Sequence, residues 1–396
     1  MIDSTRLKSL LVELVQIDSI SKKERQIALR LQREMEALGA TVHFDDAGEK
    51  VGGEIGNLLA RLPGSVPEAA PLLLCAHMDT VVPGEGVRPI VDGDIIRSDG
   101  TTVLGGDDKS GIAIICEVIR TLQEQRIPHG DIDVLFTICE EFGLLGAKHL
   151  DVSALRANAG IVLDSDAVEC LFTRAPAANA MEFIVQGREA HAGMAPERGI
   201  SAIKVAAEAI AAMRLGRIDD ETTANLGLIS GGMAVNIIPN RVVIRGEARS
   251  HDEAKLQAQT AHMRQCFEEA AARHAVTVDG VRTAARVDAD VERQYDRMHV
   301  PDGSRIVRLV LDAGSRLGYT VRTMGMGGGC DANILNRKGV EVANLGTGMR
   351  DIHTVHEWLD VTEMVRSARI ILEIVRLNAE SRAGVETMAE RENVGE

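Results

Sequence analysis

The apolar positions of the chain fall into two rhythms, and the change between them marks its architecture. In "MIDSTRLKSLLVELVQI", Leu7, Leu10, Leu11, Leu14 and Val15 recur every three or four residues behind Ser4, a candidate N-cap. The stretch "SKKERQIALRLQREMEALGA" repeats the helical period between a candidate capping box, Ser21 with Glu24, and a closing Gly39. Short, wholly apolar runs follow at 71–76, 131–139 and 160–163, with "KSGIAIICEVIRTLQEQ" between the first two reading as a crossover helix. Apolar strands joined by amphipathic helices predict an α/β fold with a mostly parallel sheet covered on both faces.

After "TRAPAANAM" (173–181), a small-residue stretch that reads as a linker, the order becomes strand, helix, two strands, helix, strand up to about 290. That order predicts an inserted ferredoxin-like α+β domain. Helix, strand and helix resume after "HVPDG" (299–303). The expected boundaries are therefore 1–176 and 293–384 for the first domain, 177–292 for the insertion, and 385–396 for a charged, frayed tail.

Composition narrows the function. At 396 residues the chain exceeds what one core usually supports. A net charge of −15 argues against nucleic-acid or anionic-membrane partners, and 2% aromatic content leaves little for stacking on bases. The start lacks the pattern of a signal peptide, and no apolar run is long enough to span a bilayer. Six scattered cysteines without a C-x-x-C pair read as reduced packing residues of a cytoplasmic protein.

In an open α/β sheet, ligands bind beyond the carboxyl ends of the strands. Just after the apolar runs stand His77 and Asp79, Glu140 and Glu141, Asp164, and, after "VEVANLG", His353 and His356; "LGGDDKSG" adds Asp107 and Asp108. Each alone has an ordinary explanation as a helix cap, a solvated turn or a satisfied histidine. Together they place two histidines and at least four carboxylates on one edge, where the acids would repel one another unless cations intervene. Histidine and carboxylate donors, with no cysteine near, suit Zn²⁺, with Mn²⁺ or Co²⁺ as substitutes. Three ligand carboxylates against two divalent ions leave one positive charge, which a metal-bound hydroxide would cancel, as in a two-metal hydrolase.

The motifs "HMDT", "GGDDKSG", "EEFGLLGA", "VLDSD" and "HTVHEW", in this order around an inserted domain, resemble the cocatalytic zinc metallopeptidases. That family includes peptidase T, glutamate carboxypeptidase, succinyl-diaminopimelate desuccinylase and aminoacylase, and the resemblance covers nearly the whole chain. It implies that His77, Asp107 and Asp164 hold one zinc and that Asp107, Glu141 and His353 hold the second. It further implies that Asp79 orients His77, and that Glu140 is the general base that takes a proton from a water bridging the ions and later delivers it to the leaving amine. A cis peptide between Asp107 and Asp108 is implied as well. His356 is left as an ordinary surface residue. The insertion is implied to be a lid and dimerisation domain whose His191 stabilises the oxyanion in the partner subunit, with Asn236 and Arg249 touching substrate. "GMGGGCD" (325–331) is implied to line the same pocket. The motifs are most similar to peptidase T, a tripeptide aminopeptidase, although peptidase T has alanine before the first aspartate and an acidic residue where Cys139 stands. Alternatives on the same scaffold are a carboxypeptidase or an N-acyl-amino-acid deacylase, and, in another class, an inactive metal-binding dimerisation protein. The implied assembly is a cytoplasmic homodimer acting on short peptides.

Overall fold

The computed structural model describes residues 1–392. It divides into two compact units. The first comprises Met1–Arg174, Met298–Met326 and the chain from Cys330 onward; the second comprises Ala175–Arg297 with Gly327–Gly329.

The sheet of the first unit is parallel at its centre. Strands Ile132–Thr137, Leu72–His77, Ala159–Val162 and Glu341–Leu345 run side by side in the same direction. In register, Leu74 lies beside Val134 on one side and Ile161 on the other. The first three of these strands are buried at every position, which is why they read as unbroken apolar runs rather than alternating ones. Antiparallel strands close the flanks, Leu58–Leu62 and Thr41–Phe44 on one side and Cys170–Ala175 on the other. The crossover helix Gly106–Glu124 is apolar on nearly all sides because it packs between the sheet and two outer helices, Ser4–Val15 and the one beginning at Val361.

In the second unit, strands Gly216–Arg217, Thr222–Gly231, Arg241–Ser250, Ala177–Gln186 and Arg286–Tyr295 form one antiparallel sheet in that spatial order. Helices Ala202–Ala212 and Glu253–Ala272 pack on it, and the Phe183 and Phe267 rings stack 4.4 Å apart in the core. Leaving out the short strand Gly216–Arg217, the chain order is β-α-β-β-α-β. The spatial order second-third-first-fourth is that of a ferredoxin-like layer. A hairpin, Ala275–Val278 with Val281–Ala284, is added before the last strand.

Several local expectations are corrected. Asp3, not Ser4, caps the first helix, its carboxylate accepting from the backbones of Thr5 and Arg6. The Ser21–Glu24 capping box does not form: the helix begins at Arg25, and both side chains are engaged elsewhere. "TRAPAANAM" is no coil linker but the junction of strands Cys170–Ala175 and Ala177–Gln186, broken only at Pro176. The apolar Phe172, Ala175, Met181 and Phe183 are buried there, so pairing and burial override the small-residue composition. The expected tail is helical as far as Glu392; residues 393–396 lie outside the described residues. Among the described residues no helix is long and apolar enough to cross a membrane.

Candidate metal centre

Parallel strands deliver their C-terminal ends to one edge of the first unit's sheet, and the candidate ligands meet there. His77 is the last residue of its strand, and Asp164 follows Ala159–Val162 by two residues. Asp107 lies at the entrance of the crossover helix, where it and Asp108 depart from helical geometry across a cis peptide. Its two carboxylate oxygens address different histidines: Oδ1 lies 3.1 Å from His77 Nε2, and Oδ2 lies 3.1 Å from His353 Nε2. His353 Nε2 is also 2.9 Å from Glu141 Oε1, and His77 Nε2 is 4.0 Å from Asp164 Oδ1. Two candidate ligand groups result, His77–Asp107–Asp164 and Asp107–Glu141–His353, sharing Asp107; Glu140 joins His77 and Glu141 in a third. His356 is exposed and belongs to none of them.

The electrostatics are those of a cluster built for cations. Burial, and then the neighbouring acids, raise the carboxyls of Glu140 and Asp164 well above their usual range. Burial would lower His77, but hydrogen bonds to Asp107 and Asp79 outweigh it and hold the imidazolium. Asp107 and Glu141 raise His353 to about 10. Burial would raise Asp107, and its bonds to His353 and His77 outweigh that and depress it. Without metal, protons on the histidines therefore balance the acids. Metal binding needs neutral imidazoles, so it must expel those protons, and affinity strengthens as pH rises toward the raised histidine values. Zinc titrated into metal-free protein at pH 7 should release more than one proton, measurable by calorimetry in buffers of different ionisation enthalpy. Release of no proton would contradict this charge balance.

Buried polar groups fix the ligands from behind. His77 Nδ1 lies 2.9 Å from the backbone oxygen of Asp79 and 3.5 Å from its carboxylate, so the carbonyl is the nearer acceptor. The Asp79 carboxylate also accepts the backbone N–H groups of Glu140 at 2.9 Å and Glu141 at 3.2 Å. Asp108 is wholly buried and accepts from the backbones of His77 and Gly111. A Cβ at Gly111 would stand 2.3 Å from the Leu163 carbonyl oxygen, which accounts for the glycine in "KSG". Asn344 clamps the Asp164 backbone, its Oδ1 accepting from the N–H at 2.9 Å and its Nδ2 donating to the carbonyl at 2.6 Å. Asn344 Nδ2 also donates to Cys330 Sγ at 3.5 Å, so a buried thiol does stand close behind the cluster, contrary to the sequence reading, although no candidate ligand group includes it.

Glu357, unassigned in the sequence reading, carries the turn that presents Asp107. Its carboxylate accepts from the backbones of Leu104 at 2.7 Å, Gly105 at 2.8 Å and Asp107 at 3.0 Å. Gly105 makes that turn possible with φ of +74°. Burial raises the Glu357 carboxyl to about 7 against the pull of those donors. Glu357→Leu strands three buried N–H groups and should destabilise the protein by about 2 kcal/mol or more, read as a lower denaturant midpoint at unchanged slope. Wild-type stability would show that the turn holds without this carboxylate.

The remaining candidates lie in the second unit. His191 is exposed, and its Nδ1 accepts the N–H groups of Gly193 and Met194, both at 3.2 Å. With Nδ1 accepting, the proton resides on Nε2, which becomes a donor. The Asn236 segment runs beside it, Ala192 N donating to Asn236 O at 2.9 Å and His191 bridged to Ile237. Arg249 is half-buried and ion-paired to Glu247 at 2.9 Å. A Cβ at Gly328 would lie 3.8 Å from Arg249 Nη1, placing the glycine loop beside that arginine.

A mostly parallel α/β sheet thus carries acid–histidine clusters at its strand ends, donor sets suited to divalent cations. The sequence pattern of Peptidase family M20/M25/M40 matches residues 73–377, and the chain belongs to that family. It is 40% identical to the uncharacterized protein YqjE of Bacillus subtilis (strain 168), over 95% of this chain and 99% of that protein. The crystal structure of aminopeptidase PepT from Bacillus cereus ATCC 10987 superposes with a TM-score of 0.84 at 40% identity, covering 96% of this chain and 99% of that one. A tripeptidase from Staphylococcus aureus subsp. aureus Mu50 gives a TM-score of 0.89 at 37% identity, covering 96% and 100%. The protein is thus a peptidase T-like hydrolase.

Proposed function

We propose that this chain is a tripeptide aminopeptidase using two divalent ions, Zn²⁺ foremost with Mn²⁺ or Co²⁺ as substitutes, in a cytoplasmic homodimer. The observation that supports it most is the Asp107 carboxylate, which turns one oxygen toward each histidine. His77 and Asp164 complete one site around Asp107; Glu141 and His353 complete the other. The donor set fits two such ions, since each candidate group supplies one imidazole and two carboxylates. When bound, the ions supply Lewis acidity toward the scissile carbonyl and toward water. Glu140 is assigned as the base because Glu141, not Glu140, contacts His353. Its carboxylate takes a proton from the attacking water and returns it to the leaving amine. Asp79 holds the Glu140–Glu141 turn. His191 donates from Nε2 to the developing oxyanion, and Asn236 and Arg249 contact the substrate.

The direct test offers the zinc-loaded enzyme three forms of one peptide, free trialanine, N-acetyl-trialanine and trialanine amide, and beside them N-acetyl-alanine. Release of alanine from the free N-terminus, with loss of cleavage on acetylation, is expected. Preferential release of the C-terminal residue, or faster hydrolysis of N-acetyl-alanine, would replace the assignment with carboxypeptidase or deacylase.

A further inference from the structure

The turn bearing Glu140 and Glu141 is gripped from a distant part of the chain. Its first residue, Cys139, has φ of +49°, a conformation uncommon outside glycine. Three successive backbone N–H groups leave this turn, and two buried carboxylates collect all of them. Glu24 Oε1 accepts from Cys139 at 3.1 Å, and Asp79 accepts from Glu140 and Glu141. Asp79 is itself held by Ser21, whose hydroxyl donates to Oδ2 at 2.6 Å. The segment supplying Ser21 and Glu24 is tied to Thr80 at its start and closed on itself further on. Thr80 N donates to Ser19 O at 3.0 Å, Ile20 bridges Thr80, and Lys22 N donates to Glu24 Oε1 at 2.9 Å. Lys22 Nζ lies 4.8 Å from the centre of the Phe142 ring, just beyond the glutamates.

Residues 19–24 precede the part of the chain that the family pattern matches, 73–377. Glu24 is completely buried, and although it stands at the N-cap position of helix Arg25–Ala37, its side chain makes no capping hydrogen bond. A buried carboxylate spent on one strained turn has a positional purpose, because an unpaired buried N–H costs about 1–3 kcal/mol and a left-handed non-glycine turn needs external restraint.

We propose that Ser19–Glu24 is a strap that sets the position of the general base and the adjoining metal ligand, with Ser21 and Glu24 as positioning residues. The proposal rests on the roles given above to Glu140 and Glu141. Ser21 fixes the Asp79 carboxylate, Asp79 fixes the N–H groups of both glutamates, and Glu24 fixes the residue before them. Neither Ser21 nor Glu24 exchanges a proton with substrate. Outer partners of this kind typically contribute 10–100-fold in activity or metal affinity.

Isosteric pairs in the full-length protein test it. Ser21→Thr keeps a hydroxyl and Ser21→Val removes it at nearly equal volume; Glu24→Gln keeps an acceptor oxygen and Glu24→Met removes it. Two readouts are taken: zinc affinity by chelator competition, and kcat and KM on trialanine with saturating zinc. The Val and Met variants are expected to lose roughly 10–100-fold in kcat at little-changed KM and to bind zinc more weakly, while the Thr and Gln variants retain most of both. Wild-type kcat and zinc affinity in Ser21→Val and Glu24→Met would overturn the strap, as would equal losses in Thr and Val. Should Glu24→Met fail to fold, the half-buried Ser21 pair decides alone. Full turnover by Glu140→Gln would overturn only the base assignment, and zinc affinity would still decide the strap through Glu141.

Discussion

Replacing Glu140 by glutamine is expected to lower kcat by about 10²–10⁴-fold, the usual contribution of a general base, while metal content stays at the wild-type level. Glutamine keeps the size of the side chain and the backbone N–H that Asp79 accepts, so the turn should persist. What is lost is the carboxylate that receives a proton. Glu141→Gln should behave differently, because its carboxylate meets His353 at 2.9 Å within the Asp107 group. That variant should lose both turnover and metal affinity. Metal analysis beside steady-state kinetics separates the two. Near wild-type turnover in Glu140→Gln, or loss of metal from it equal to that in Glu141→Gln, would reverse the roles.

The sequence disclosed the parts of this arrangement that depend on periodicity and strand ends. Apolar runs with no alternation marked strands covered on both faces, and the rule that ligands gather at their carboxyl ends pointed to His77, Glu140, Glu141, Asp164 and His353. The structure brings those residues into one cluster. What the sequence concealed depends on long-range hydrogen bonding. Glu357 serves backbone donors some 250 positions away, and nothing in "HTVHEW" alone distinguishes it from a solvated acid. Ser21 and Glu24 carry the spacing of a capping box, a local pattern that tertiary contacts override. Asp331 was passed over inside a glycine loop, yet it begins a helix and accepts from Thr137 Oγ1 behind the site. Burial raises its carboxyl to about 6. A buried acid with a remote partner leaves no periodic trace, so only the three-dimensional arrangement reveals it.

His191→Ala is expected to reduce kcat by about 10²–10³-fold, the typical loss of one oxyanion donor, with both metals retained. The argument begins at the imidazole itself. Two backbone N–H groups occupy Nδ1, which fixes the proton on Nε2 and leaves that edge of an exposed ring as a directed donor. Such a donor acts only where an oxyanion develops within about 3 Å of it. In the proposed homodimer, each subunit offers its His191 to the metal cluster of the other. A two-fold pair makes the exchange reciprocal, so one residue type serves both sites. The test uses two inactive chains. His191→Ala lacks the donor but keeps an intact metal cluster, and Glu140→Gln lacks the base but keeps its histidine. After the subunits exchange, some heterodimers unite an intact cluster with an intact His191 in one of their two sites. Activity should then reappear on mixing, reaching at most about half the wild-type value per heterodimer, since the second site of each carries both defects. Mixed dimers verified by tagged co-purification but without recovered activity would place the donor and the cluster in the same subunit.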